Sequence, residues 1–366
     1  MNNIFTCNFD ENLQPSLQAY AATAKSHRER LIDFLIEIVW NGIYVGKKLE
    51  KLESADQRPG VENNFQNAFF NRIKGFLAEL IFFDLTHNDP KISRGGWFVP
   101  KPKVENPLEN SLYYSVNASL SGLEPVYKAL SDALPLIPLY VVVPKTPTDW
   151  YQTLDERFDY WKYDPKSGNF ITTSTICFYQ FWDEKSWPQA TLTDLYSSTN
   201  DKVVQEAKLL LMGTDYSDLA MEMLVYDRYV FDELIASRHY KGRPTDLDFI
   251  ELRLDNRIHL IDVKDKYLSK EGKLGINKDH LPFFVDIDRH LGTDSQYIVR
   301  VSKGGLDRTL NGWYCTAIRN FSTGCDREGK QGLNGQMATK TSMLPLSDFQ
   351  PWKVSDGIST EVAAAS

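Results

Sequence analysis

The stretch "TDLDFIELRLDNRIHLIDVKDKY", Thr245 to Tyr267, decides the reading of this chain. Apolar and polar residues alternate through most of it, with the period of two that a half-buried strand pair requires. Asp248, Ile250, Leu252 and Leu254 share one face of the first strand, and Ile258, Leu260, Asp262 and Lys264 share one face of the second. The loop decides whether those faces coincide. A two-residue turn at Asp255–Asn256 sets Leu254 against Arg257 and sends Asp248 away from Asp262. A three-residue loop, Asp255–Asn256–Arg257, sets Leu254 against Ile258, Leu252 against Leu260 and Asp248 against Lys264. Three-residue hairpin loops are common, and this register gathers every apolar side chain on one face, so it is the one expected.

That face ends in Asp248, Asp262 and Lys264. Two neighbouring carboxylates repel each other, and burial raises their pKa values further. A hard divalent cation removes the conflict. Mg²⁺, with Mn²⁺ as a substitute, takes oxygen ligands and is usually held by one or two carboxylates. An ammonium beside it can orient or polarise the attacking water, or stabilise charge growing on a phosphate. The set suits hydrolysis of a phosphodiester. The plainer alternative is an exposed Asp-x-Lys strand edge, an ion pair of little energetic weight.

"TDLDFIEL" followed by "IDVKDK" resembles the PD-(D/E)xK nucleases, the restriction-endonuclease-like family. The resemblance implies an α/β fold with a restriction-endonuclease-like core, a central mixed β-sheet flanked by helices, decorated by N-terminal helices and a large insertion. It makes Asp248 the first acid, with Asp246 as a rival, Asp262 the acid of the triplet and Lys264 its lysine. Leu247 precedes Asp248 where the family carries Pro, and Pro244 stands near. The resemblance further implies a Mg²⁺-dependent endonuclease acting on DNA, a restriction or other defence role, and a homodimer. A catalytically inactive DNA-binding or partner-docking protein on this fold, or an RNA or recombination nuclease, would use the same residues.

The family often adds a Glu from a helix preceding the hairpin, as metal ligand or orienter. Glu79 in "RIKGFLAELIFF" and Glu222 in "DLAMEMLVYD" are the two candidates. Glu79 is favoured, because a lone acid among apolar neighbours is costly to bury without a purpose. Gly75, one turn earlier, is expected to allow close packing there. The alternative for Glu79 is a salt bridge to Arg72 or Lys74.

Around this centre, helices are expected over about Ser16–Ser54, Phe65–Leu85, Ser217–Ser237 and within Asp279–Leu291. Strands are expected at Leu139–Val143, Thr175–Phe181 and Gln296–Ser302, with Ser217 or Asp218 capping the third helix. The domain reading is an N-terminal helical region, 1–110, which lends a helix to the core; a mixed insertion, 111–215; the nuclease core, 216–320; and Gly-rich basic loops with a tail, 321–366. The aromatics Trp150, Tyr151, Phe158, Tyr160, Trp161 and Tyr163 read as core rather than as a base-stacking surface.

Residues 300–340 hold seven Lys/Arg against three acids, in a chain of net charge −8. Lys266, Lys270, Arg300, Lys303 and Arg308 are therefore the expected contacts to a nucleic-acid backbone. The four cysteines show no paired spacing, which argues against a disulfide framework or zinc ribbon and suits a reducing cytoplasm. The start lacks the pattern of a signal peptide. The longest apolar run, "LPLIPLYVVVP", is too short for a membrane span and reads as a buried strand, so no membrane partner is expected.

Overall fold

The computed structural model describes residues 25–46, 61–100, 108–145, 158–173, 202–234, 244–303, 310–328 and 340–353. The protein is a mixed α/β structure. Its helices are α1 (His27–Gly46), α2 (Val61–Thr86), α3 (Glu124–Ala133), α4 (Lys202–Met212), α5 (Asp218–Leu234) and α6 (Leu281–Leu291). Among the described residues, no helix is long and apolar enough to cross a membrane.

One six-stranded sheet contains β1 (Ile92–Arg94), β8 (Phe249–Leu252), β9 (Ile258–Lys266), β11 (Gln296–Ser302), β12 (Leu310–Ala317) and β15 (Gln350–Pro351), adjacent in that order. All neighbours are antiparallel except β9 and β11, which run parallel. A parallel pair needs a long crossover, and here it contains β10 (Lys273–Asn277) and α6. Gly292 closes α6 in the left-handed conformation, φ 63°, as the αL cap favours. The stripe Leu281, Phe284, Ile287 and Leu291 is buried.

The second six-stranded sheet orders β6 (Asn169–Thr173), β5 (Phe158–Asp164), β4 (Leu139–Pro144), β3 (Ser111–Val116), β2 (Trp97–Pro100) and β7 (Thr245–Asp246). Its strands come from both sides of residues 110 and 215, so the expected boundaries there do not separate its elements. One of its faces packs with α1, α2, α4 and α5. The other meets α3, α6 and the inner face of the first sheet. Phe158, Tyr160 and Tyr163 are buried as core, and Trp161 is half-buried. Trp150 and Tyr151, and the strand expected at 175–181, lie outside the described residues.

A third, antiparallel sheet joins β10, β14 (Lys340–Pro345) and β13 (Cys325–Glu328). Part of the segment expected to be loops and tail therefore forms strands. Ser217 caps α5, its Oγ accepting the Ala220 N–H at 3.1 Å.

The two large sheets share one ribbon. β1 and β8 pair in the first sheet, and β2 and β7 pair in the second. Between them, Gly95 N–H donates to the Asp248 carbonyl at 2.9 Å and Leu247 N–H donates to the Gly96 carbonyl at 2.8 Å. A Cβ at Gly95 would lie 2.0 Å from the Leu247 carbonyl oxygen, and one at Gly96 2.1 Å from that of Tyr114. Only glycine permits this approach of backbone to backbone. The crossing places Asp246, Leu247 and Asp248 at the seam between the sheets.

Candidate active site

The hairpin pairs Phe249 with Ile261, Ile250 with Leu260, Glu251 with His259 and Leu252 with Ile258. The loop has three residues, as expected, but they are Leu254, Asp255 and Asn256. Arg253 N–H donates to the Arg257 carbonyl and Asn256 N–H to the Arg253 carbonyl, each at 2.9 Å. The register therefore differs by two residues from the one expected. Conformation explains the choice: the last loop residue adopts φ 60°, and it is Asn256 rather than Arg257. Asn tolerates the left-handed region better than Arg does. Asp255 Oδ1 also accepts the Arg257 N–H at 3.0 Å. The cost falls on Leu254, expected on the apolar face but 79% exposed.

A two-residue shift preserves side-chain parity. Asp248, one step beyond the last hairpin pair, lies across from Asp262 rather than Lys264. The three charged groups still converge: Lys264 Nζ is 2.6 Å from Asp262 Oδ1 and 3.2 Å from Asp248 Oδ2. Asp248 Oδ2 also accepts the Val263 N–H at 2.6 Å. Asp262 is 3% exposed and Asp248 7%, so this is no solvated strand edge. Asp262 Oδ2 is buried without a hydrogen-bond partner.

Glu79, buried on α2, contributes to the same electrostatic field. The apolar neighbours of Glu79 point two ways: Phe76, Leu77 and Leu80 into the core beside the second sheet, Ala78 and Phe82 onto the outer face of the first. Glu79 is thus carried to the seam between them. Gly75 does not serve close packing, since a Cβ there would meet nothing within 4 Å. Glu222 is elsewhere, 2.5 Å from His27 Nε2. Asp246, the rival first acid, lines the cleft beside Asp248 and pairs with Arg228 at 3.5 Å.

Burial pushes the Glu79 carboxyl up to about 7, against the pull of Arg228, Lys264 and Arg94. Burial also drives Asp248 well above the carboxylate range, and Glu79, Asp262 and Asp246 add to that while Lys264 opposes it. For Lys264, burial alone would depress the ammonium, but Asp248 and Asp262 outweigh it and hold the pKa well above the usual lysine value. Asp246 is also penalised by burial, yet Arg228, Lys264 and His280 hold it below its ordinary value.

The sequence reading missed the other wall of the cleft. Arg94, Gly95, Gly96 and Trp97 line it from the β1–β2 strand, and Asp227 and Arg228 from α5. Trp97 Nε1 donates to both oxygens of Asp227 at 3.2 Å. The Arg228 guanidinium lies 4.6 Å from the Phe76 ring centroid and 4.9 Å from that of Trp97. A signal for this wall was present in "RGGW", because paired glycines within strand-like sequence mark a close backbone approach. Together the region holds five carboxylates (Glu79, Asp227, Asp246, Asp248, Asp262) and three cationic groups (Arg94, Arg228, Lys264). It has a formal excess of two negative charges.

Among the described residues, no three His, Cys, Asp or Glu side chains group closely enough to hold a metal ion. Mg²⁺ does not need three, since one or two carboxylates with waters and phosphate oxygens suffice. The Asp248–Asp262 pair, with its unsatisfied Oδ2, fits that requirement.

Of the expected backbone contacts, Lys266, Lys270 and Lys303 are exposed. Arg300 is buried, turned inward to Asp265 at 2.9 Å, because its place beside β9 puts that carboxylate within reach. Arg308 lies outside the described residues. Comparison of the chain with family models, with curated proteins and with solved structures finds no match in any of the three.

Proposed function

We propose that this protein is a Mg²⁺-dependent nuclease that hydrolyses DNA phosphodiester bonds on a restriction-endonuclease-like core. The observation that carries the reading is the convergence of Asp248, Asp262 and Lys264 at a buried point where Asp262 Oδ2 has no partner. The elements around the site support it: the helix bearing Glu79 runs into β1, and after β2–β7 and α3–α5 come the Asp248–Asp262 hairpin, β10, α6 and β11, which lies parallel to β9.

Asp248 and Asp262 would hold Mg²⁺, with Glu79 facing them from α2. The ion supplies Lewis acidity toward a phosphoryl oxygen and toward water. The Lys264 ammonium places positive charge where the phosphate gains negative charge, inside a site that excludes most water. Glu79, titrating near neutrality, can hold or release a proton at its carboxyl as the local charge changes. The Asp248 and Lys264 positions are fixed by β8 and β9, so their orientation costs little at the moment of reaction.

A second reading rests on one observation. The Lys264 ammonium already contacts both aspartates, which would suit a nuclease-fold protein that binds DNA without hydrolysis. Incubating the purified protein with DNA, with and without Mg²⁺, beside Asp262→Ala and Lys264→Ala separates the two. The nuclease predicts Mg²⁺-dependent cleavage that falls to background in both variants. Wild-type protein that cuts under no divalent ion, or variants that cut normally, would refute it.

A further inference from the structure

We propose that Arg94 is a phosphate-binding residue of the same cleft, receiving the backbone phosphate next to the one at Asp248 and Asp262. This rests on the nuclease reading for its substrate but on separate geometry for its site. Arg94 ends β1 and pairs with Phe249, the neighbour of Asp248. Its guanidinium lies 5.8 Å from the Phe83 ring centroid, in the range of a cation–π contact. Phe83 follows Glu79 by four residues on α2, so the two share a helix face. Phe83 stands about 6 Å, a little over one helical turn, along α2 from Glu79, and it holds Arg94 on that side of the cleft.

Three of the cleft's acids are already engaged. Asp227 accepts from Trp97, Asp246 pairs with Arg228, and Asp248 is met by Lys264 and the Val263 N–H. Arg94 makes no hydrogen bond or ion pair among the described residues, and it is half-buried rather than sealed off. A planar guanidinium held against a ring and open to solvent, which acts on Glu79 and Asp227 through space but pairs with neither, is suited to bidentate phosphate binding. Lys264 then faces the phosphate that is cut, and Arg94 the phosphate that positions it. Such a contact fixes register on the strand and is blind to base sequence.

Each phosphate contact contributes about one unit to the slope of log affinity against log salt. The test measures binding of labelled duplex DNA, single-stranded DNA and RNA across a salt series without divalent ions. Wild type, Arg94→Ala and Arg94→Lys are compared, followed by KM and kcat in Mg²⁺. Arg94→Ala should weaken binding about tenfold, uniformly across sequences, and lower the salt slope by about one. Arg94→Lys should restore the slope with part of the affinity. Once Mg²⁺ is added, KM should rise while kcat changes little.

An unchanged salt slope in Arg94→Ala overturns the proposal and leaves the nuclease reading intact. If wild type binds nucleic acid but never cuts it, the nuclease reading fails and the slope still decides for or against Arg94. If wild type binds none of the three polymers, both fail. The polymer bound most tightly identifies whose phosphates the cleft takes.

Discussion

β9 carries buried ionic groups on both of its faces, and the two sets are built differently. On the outer face, Asp265 is closed: one oxygen accepts from Ser302 Oγ at 2.8 Å and the other from Arg300 at 2.9 Å. On the inner face, Asp262 has Lys264 at one oxygen and nothing at the other. Both clusters pay for desolvation, but only the first satisfies its lone pairs. A closed network rigidifies, whereas an open one keeps binding capacity for something else. The same strand thus holds a fastening between β9 and β11 and, one residue from it, a site.

The largest effect should come from opening this comparison at Asp262. Asp262→Ala should lower Mg²⁺-dependent cleavage at least about a thousandfold, on the order of 4 kcal/mol of transition-state stabilisation. Its stability should change less than that of an Arg300 variant, because Lys264 keeps Asp248 as a partner. Arg300→Ala should do the reverse. It strands Asp265 in the interior and should cost about 3–5 kcal/mol in urea unfolding, with cleavage per folded molecule retained. If Arg300→Ala abolishes cleavage at full stability, the two faces do not differ as described.

A smaller effect follows from Glu79. Its folded pKa of about 7 stands above the ordinary 4.5, so the folded protein binds the extra proton between those values. Stability from this group is present below pH 4.5 and lost as pH rises through 7. Relative to Glu79→Gln, wild type should therefore lose on the order of 3 kcal/mol over that interval. Glu37 has a similar upward shift but is present in both proteins, so it cancels, and the difference reports Glu79 together with its effect on Asp248. Parallel stability curves for the two proteins would show that Glu79 is not held as described.

How much of this was legible depended on the range of the interaction. Parity along a strand is local, so alternation together with a three-residue loop was enough to put Asp248, Asp262 and Lys264 on one face. Glu79 could be singled out because an acid among apolar neighbours is costly wherever the helix packs. The paired glycines after Arg94 hinted at its strand, but Asp227 and Arg228 could not be read, since only tertiary packing sets α5 against that strand. Arg300 was misread for the same reason: only the parallel β9–β11 register puts Asp265 beside it. The basic count over 300–340 is a property of composition and cannot tell an inward guanidinium from an outward one.

The smallest effect tests the loop, on which the convergence depends. Burial of apolar area favours a register with Leu254 inside, while backbone conformation favours Asn256 over Arg257 in the left-handed position. Removing Leu254 from water would contribute about 1.5–3 kcal/mol, yet the observed hairpin forgoes it. The alternative loop would place an Arg at positive φ and lose the Asp255 bond to the Arg257 N–H. It would also move Asp248 opposite Lys264 and leave Asp262 diagonal to it rather than directly across. Leu254→Ser distinguishes the two registers directly. With Leu254 in solvent it should change stability by less than about 0.5 kcal/mol and leave cleavage intact. A loss of about 2 kcal/mol or more would put Leu254 on the buried face. The hairpin would then pair two residues out of the register described, and Asp262 would lie diagonal to Asp248 rather than opposite it.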